Sequence, residues 1–414
     1  MKTKTCITAL FFGLFFFQIS IQETHAQIFQ KIKKEVKRRT ENKVVNKVGN
    51  TTNKVIDKVT TLPGDKKSDG DNNTAQVTDN GKKEQQVTDH SYKNYDFVPG
   101  DKIIFQPDLS GEADAELPAR FVIDKGVSEI QSYEGEKILH INSGGKNVVF
   151  PLMEHQNYLP DQFTIEFDLM YENTASYFQY FNSFMVAFND ENDNNWEGHN
   201  LYRFSIESNS KSAFGKYGTQ PMDLPESVKK SVNSNDVWHH VALYVRKNIG
   251  KAYIDGSRVF ATNNLPAGAA RFAFRTDGRY GMKIKNLRVA AGGEDKYKKI
   301  VTNGKFITHG ILFDVNKSTI KPESMGTLNE IAKLMKEHSD LKFEINGHTD
   351  SDGNADTNQK LSEARAIAVK DKLVEMGIAE NRFTTKGNGA SKPIDSNSTQ
   401  EGKANNRRVE FVKL

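Results

Sequence analysis

The chain has 414 residues, a net charge of +4 and a mean hydropathy of −0.64. This length implies two or more domains, each with its own core, and the hydropathy excludes a polytopic helical membrane protein. The near-balanced charge gives no reason to expect nucleic acid as a partner.

Residues 1–26 read as a targeting segment. Lys2 and Lys4 precede a Phe-rich apolar run from Ile7 to Ile19, and Thr24-His25-Ala26 offers a cleavage site before Gln27. The run is shorter than the roughly 20 residues that cross a bilayer as a helix. Export is therefore expected, with retention as an uncleaved anchor as the alternative. The single cysteine, Cys6, lies ahead of the apolar run, where it cannot serve as a lipoprotein cysteine. A chain cleaved after Ala26 has neither disulfides nor thiolate metal sites.

Residues 27–62 carry a basic helical pattern. Ile28, Ile32, Val36, Val44, Val48, Val55, Val59 and Leu62 recur at steps mostly of three or four among Lys and Arg. Two readings stand: a solvated helix or short coiled coil, and an amphipathic helix on an anionic membrane surface. Residues 63–96 read as a disordered polar linker. Pro63-Gly64 stops the helix, large apolar residues are nearly absent, and Gln76-Val77-Thr78-Asp79 is echoed by Gln86-Val87-Thr88-Asp89.

From 97 to 293 the apolar period becomes two. Phe163-Thr164-Ile165-Glu166-Phe167-Asp168-Leu169 and Leu201-Tyr202-Arg203-Phe204-Ser205-Ile206 alternate, with turn signals such as Asp255-Gly256 and Asp277-Gly278 between short segments. An antiparallel β-sandwich is expected. Within it, Trp238-His239-His240-Val241 followed by Tyr253-Ile254-Asp255-Gly256 resembles the laminin-G/concanavalin-like jelly roll.

Two stretches of this region invite chemical readings. Glu166-Phe167-Asp168-Leu169-Met170-Tyr171-Glu172 resembles the Glu-x-Asp-x-x-Glu strand of some jelly-roll glycosidases, which would make Glu166 catalytic in a wall-tethered glycan hydrolase. Its last Glu is displaced by one residue, and charges on alternate positions are ordinarily a solvated face. Asp190-Glu191-Asn192-Asp193-Asn194-Asn195 has the oxygens for Ca²⁺ but fails the EF-hand pattern, with Leu201 at the twelfth position. It reads as a solvated hairpin tip. Tyr177, Phe178, Tyr180 and Trp196 are either sugar-stacking aromatics or core.

Residues 300–414 read as a βαβαββ domain. Strands are expected near Phe306–Phe313, Leu341–Ile345, Arg382–Lys386 and Arg408–Val412. Helices are expected over Pro322–Glu337 and Asn358–Met376, the second stopped by Gly377. Asp350 follows a strand and Arg365 sits two turns into the next helix, so a carboxylate and a guanidinium can share the crevice beyond the strand end. Such a crevice suits a zwitterion. The competing reading is a structural Asp350–Arg365 ion pair between loop and helix.

Phe313-Asp314-x-Asn316, Gly347-His348-Thr349-Asp350, Asn358, Leu361-Ser362-x-x-Arg365-Ala366, Gly387-x-Gly389 and Asn406-Arg407-Arg408-Val409-Glu410 resemble the OmpA-like C-terminal domain. The resemblance implies peptidoglycan binding through the diaminopimelate of the stem peptide. Asp350 would accept from its ammonium and Arg365 would clamp its carboxylate, with Asn316, Thr349, Asn358 and Arg407 lining the groove. Lys403 stands where that family usually has Arg, outside the expected groove. His348 is expected to pack or orient the loop, and Gly387 and Gly389 to serve turn geometry. The whole reads as a non-enzymatic protein of the periplasm or outer membrane of a Gram-negative envelope, with no cofactor or metal. Its sandwich would present a surface to a glycan or protein.

Overall fold

The computed structural model describes residues 92, 95–143, 145–172, 183–193, 195–196, 200–207, 211–232, 236–276, 281–292 and 296–414. The expected targeting segment, the basic helix and nearly all of the linker lie outside the described residues, as do Tyr177, Phe178 and Tyr180. Residues 84–414 form one compact unit. Among the described residues no helix is long and apolar enough to cross a membrane.

Two antiparallel sheets share one core. The larger has the order Ser257–Thr262, Ile249–Ile254, Trp238–Arg246, Gln162–Tyr171, Met282–Ala291, Glu136–Ile141, Ser128–Tyr133, and Lys102–Phe105 also pairs with Met282–Ala291. The other runs Met222–Asp223, Lys211–Gly215, Tyr202–Glu207, Ser183–Asn189, Arg271–Thr276, Asn147–Pro151, Phe121–Lys125. Alternation dictates what faces inward. Phe163, Ile165, Phe167 and Leu169 of one sheet and Phe184, Val186, Phe204, Phe272 and Phe274 of the other fill the interior. Trp238–Arg246 pairs with Ile249–Ile254 across a tight turn, with Val241 opposite Ile254.

The other face of strand Gln162–Tyr171 departs from expectation. Glu166 is only 4% exposed and Arg288 7%. The Arg288 Nη2 donates to both Glu166 oxygens at 2.7 Å, its Nε to Oε1 at 3.1 Å, and its Nη1 to the His309 carbonyl at 2.7 Å. Beside them His240 Nδ1 meets Asp168 Oδ1 at 2.9 Å. Glu166 and Arg288 are covered because the C-terminal domain packs over this face. The Glu166 carboxylate is thus buried and engaged by a cation at both oxygens, where a solvated face was expected.

The packed region also begins earlier than 97. Tyr92, Tyr95 and Phe97 are buried with Ala242 and Tyr253 on the same outer face. Gly256 sits at φ +75°, and a Cβ there would lie 2.7 Å from the Tyr92 ring, so both backbone and packing require glycine. The segment continues under the C-terminal domain, where Asn329 Nδ2 donates to the Tyr95 carbonyl at 3.1 Å. The stretch expected to close a disordered linker at residue 96 is thus packed at its end, because three aromatics within six residues anchor it.

The C-terminal domain is a four-stranded sheet ordered Lys305–Thr308, Val409–Lys413, Phe343–Gly347, Phe383–Gly387. The last two are parallel and the other neighbours antiparallel. Phe306, Phe343, Ile345 and Phe411 pack against Leu328, Ile331 and Met335 of helix Met325–Glu337 and Ala366, Val369 and Leu373 of helix Ala355–Glu375. Arg382 closes the end of the first helix by donating to the Met335, His338 and Leu341 carbonyls at 2.7–2.8 Å. Gly377 follows the second at φ +91°, the left-handed stop.

Several elements differ from the sequence reading. The first strand ends at Thr308, and Phe313 makes only an isolated bridge to Ile320. The second helix starts at Ala355, where the Asn354 side chain accepts from the Asp356 and Thr357 amides. Helix Lys296–Asn303 precedes the first strand, with Ile300 in this core, so the domain runs αβαβαβαβ instead of βαβαββ; the helix before the last strand is Gln400–Asn406. It is seven residues long, polar and interrupted by Gly402, so no apolar period announced it.

Candidate functional site

The site is built where the two parallel strands end. Gly347 and Gly387 are obligatory there: a Cβ on Gly347 would stand 2.1 Å from the Ser362 carbonyl, and one on Gly387 2.6 Å from the Glu363 amide. Gly387 therefore serves close approach, while Gly389 takes a positive φ of 47°. Ser362 Oγ accepts from the Gly389 amide at 2.9 Å, and the Thr349 amide donates to the Gly389 carbonyl at 3.0 Å. The loops after both strands are thereby pressed against the first turns of helix Ala355–Glu375, the crevice position expected for an α/β sheet.

Asp350 lies in that crevice. Its Oδ2 accepts from Arg407 Nη1 at 2.6 Å and its Oδ1 from the Asp352 amide at 3.0 Å. The ion-pair partner of Asp350 is thus Arg407, and the direct Asp350–Arg365 pair is not formed. Side-chain exposure is 12% for Asp350 and 41% for Arg407.

Arg365 is fixed differently. Its guanidinium stacks 4.9 Å from the centre of the Phe313 ring, with Nε donating to the Lys317 carbonyl at 3.0 Å and Nη2 to the Asp314 carbonyl at 3.3 Å. Among the described residues Nη1 has no acceptor. Burial, then the charge of Arg407, make the Arg365 proton easier to lose, and Asp350 opposes them. The three charged groups therefore share one field without all being bonded.

The neutral residues mainly shape the loops. Asn316 is exposed and holds φ +57° in the turn that presents the Asp314 and Lys317 carbonyls to Arg365. Thr349 Oγ1 donates to the Asp350 carbonyl at 2.8 Å. Asn358 Nδ2 donates to the Asp352 carbonyl at 2.9 Å and reaches that of Asp350 at 3.4 Å.

His348 is buried 3.7 Å from Glu410, and burial, against the pull of Glu410, keeps its pKa low. Lys403 is closer to the site than the sequence suggested. Its Nζ lies 2.8 Å from Asp352, two residues beyond Asp350. The spacing of Lys403 and Arg407, four residues apart, was the available signal. Phe313, under Arg365, was visible in the motif without its role being apparent.

Residues 312–407 match the OmpA family model. This part of the chain is an OmpA-family domain. It is 50% identical over 100 residues to Outer membrane protein A of Bordetella avium, covering 24% of this chain and 51% of that protein. It is 41% identical over 102 residues to the Peptidoglycan-binding protein ArfA of Mycobacterium bovis, covering 25% and 31% respectively. The chain spans about half or less of the curated relatives it matches. Among solved structures, the peptidoglycan-associated lipoprotein of Burkholderia pseudomallei is similar, at 26% identity over 25% of this chain and 88% of that one, with a TM-score of 0.24.

Elsewhere the chemical candidates close up. Asp190 Oδ1 accepts from the Asn192 and Asp193 amides, and the Asp193 carbonyl takes Asn189 Nδ2 and Arg271 Nη2. Among the described residues no group of three or more His, Cys, Asp or Glu is placed to hold a metal. Trp196 is buried, its ring 5.5 Å from that of Phe150.

Proposed function

We propose that the OmpA-family domain of this chain binds peptidoglycan by holding the diaminopimelate tip of a stem peptide in the Asp350 crevice. The observation that carries this is the set of charges at the strand ends: one carboxylate held by Arg407, and a second guanidinium, Arg365, stacked on Phe313 with one nitrogen lacking a protein acceptor. A ligand carboxylate fills that vacancy on Arg365. The ligand ammonium shares Asp350 with Arg407. Asn316, Thr349 and Asn358 hold the loops that frame the pair. The name of the mycobacterial relative supports the same ligand class. With it goes an envelope location for the chain, in the periplasm or at the outer membrane.

For the sandwich we propose a presenting role toward a glycan or protein, without catalysis, since Glu166 is sealed by Arg288. A glycan array probed with the whole chain tests that role, and uniform silence together with no captured envelope protein removes it. The wall-binding role is tested by pull-down on sacculi containing diaminopimelate against sacculi containing lysine. Preferential retention of the diaminopimelate form, competed by free diaminopimelate, is expected. Equal retention on both, or none on either, rejects it.

A further inference from the structure

Helix Gln400–Asn406 has two occupied sides. Toward the site, Lys403 reaches Asp352, and Arg407, just past the helix end, holds Asp350 at 2.6 Å. Asn406 ties the same end down: its Oδ1 accepts from the Ile394 and Asp395 amides, and its Nδ2 donates to Asn397 Oδ1, which in turn accepts from the Ser351 amide.

Toward the sandwich, the other side chains act as strand partners. Asn405 Oδ1 accepts from the Ile103 amide at 2.8 Å and its Nδ2 donates to the Ile103 carbonyl at 3.0 Å. Gln400 does the same for Asp108, at 3.0 and 3.2 Å. Glu401 Oε1 lies 2.5 Å from Arg120 Nη2, and the Arg120 guanidinium stacks on Phe105. Within the C-terminal domain, the Asn405 carbonyl accepts from His309 Nε2 at 2.9 Å.

A seven-residue helix has little stability of its own. Its position is set by what it is attached to, and one whole side is attached to the sandwich. Asp108, on the sandwich, is also close enough for Arg407 and Lys403 to help Ser110 hold its carboxyl below the usual range.

We infer that the sandwich is a brace for the wall-binding site: Arg120, through Glu401, sets the helix from which Arg407 and Lys403 fix the Asp350 loop. Arg120, Glu401, Gln400 and Asn405 are thus positioning residues, remote from the ligand yet coupled to it. Ligand binding and docking of the sandwich strengthen each other by the same factor. This inference rests on the proposed peptidoglycan site.

The test uses the full chain and a soluble muropeptide containing diaminopimelate. Arg120→Glu should weaken binding about five- to tenfold, and adding Glu401→Arg should restore it, with the melting temperature followed throughout. In an Arg407→Lys background the Arg120→Glu loss should shrink below about twofold, since the two act on one another. Gln400→Ala gives a second, milder probe of the same contact. Failure of the unaltered chain to bind the muropeptide removes the peptidoglycan site itself. Binding by the unaltered chain that Arg120→Glu leaves untouched, or a loss of equal size in both Arg407 backgrounds, overturns the brace alone.

Discussion

Two of the clusters of opposite charge among the described residues are finished differently. At the seam between sandwich and OmpA-family domain, Glu166 and Arg288 are buried beside the half-buried Asp168 and His240, and all three Arg288 nitrogens have protein acceptors. At the strand ends, Asp350, Arg365 and Arg407 are similar in kind, yet Arg407 is partly open and Arg365 keeps a nitrogen without an acceptor among the described residues. A guanidinium whose donors are all used holds structure together. One with a spare donor beside solvent is equipped to take a ligand.

The largest expected effect tests the closed half of that contrast. Arg288→Ala leaves Glu166 buried without its guanidinium, with His240 Nε2 still 3.9 Å away, which should cost about 3–5 kcal/mol in denaturant unfolding. Replacing both by apolar residues, Glu166→Leu with Arg288→Met, should recover most of the stability and keep muropeptide binding. A single Arg288→Ala variant as stable as the parent would mean that the seam is not closed in solution.

Next comes the pH dependence of the same seam. Burial, with the charges of Arg288 and Arg408 adding to it, pulls His309 down to about 4, against the bond it makes to the Asn405 carbonyl. The unfolded histidine takes its proton near pH 6.5, so between about 6.5 and 4 the unfolded chain binds the extra proton. The contribution is complete above pH 6.5 and falls, by roughly 3 kcal/mol in all, as pH drops through that window.

His240 has the opposite sign. Burial alone would lower its pKa, but the bond and charge of Asp168 raise it. Its contribution is present below pH 6.5 and lost as pH rises through the folded value. Stability should therefore peak near pH 6.5, and His309→Gln should flatten the acid limb only. Melting curves from pH 4 to 8 decide this, and an unchanged acid limb would exclude His309 as its source.

The open cluster should respond in binding more than in stability. Asp350→Ala and Arg365→Ala should each lose about 10- to 100-fold in muropeptide affinity, the scale of one charge-assisted hydrogen bond. Their melting temperatures should move little. Arg365→Lys should not rescue, because an ammonium neither stacks on Phe313 in the same way nor offers the planar fork. Variants that melt early but bind normally would exchange the roles of the two clusters.

The sequence exposed these two clusters unequally, for physical reasons. The open one sits in a local motif: Gly347 and Gly387 are needed for backbone contact with the helix, so the residues after them carry a recognisable pattern. The closed one has the sequence pattern of a solvated face, since alternation along Gln162–Tyr171 says which side is inward but not what covers the outward side. That cover comes from residues such as His309, more than a hundred positions away, and from Tyr92 and Tyr95 at the tail of a polar tract. Arg407 was placed in the groove, but its pairing with Asp350 depends on the short helix that apolar periodicity does not reveal.

The smallest effect sharpens the border between the clusters. Lys403 belongs to neither: it bonds Asp352, which is mostly exposed, at the edge of the open site. The bond to Asp352 raises its pKa, so it remains charged at neutral pH. Exposed pairs contribute little and fade with salt. Lys403→Arg, which keeps the charge, should thus change muropeptide affinity less than about twofold. Lys403→Ala should weaken it only at low ionic strength. A strong loss that persists at high salt would move Lys403 into direct contact with the ligand and widen the open cluster by one charge.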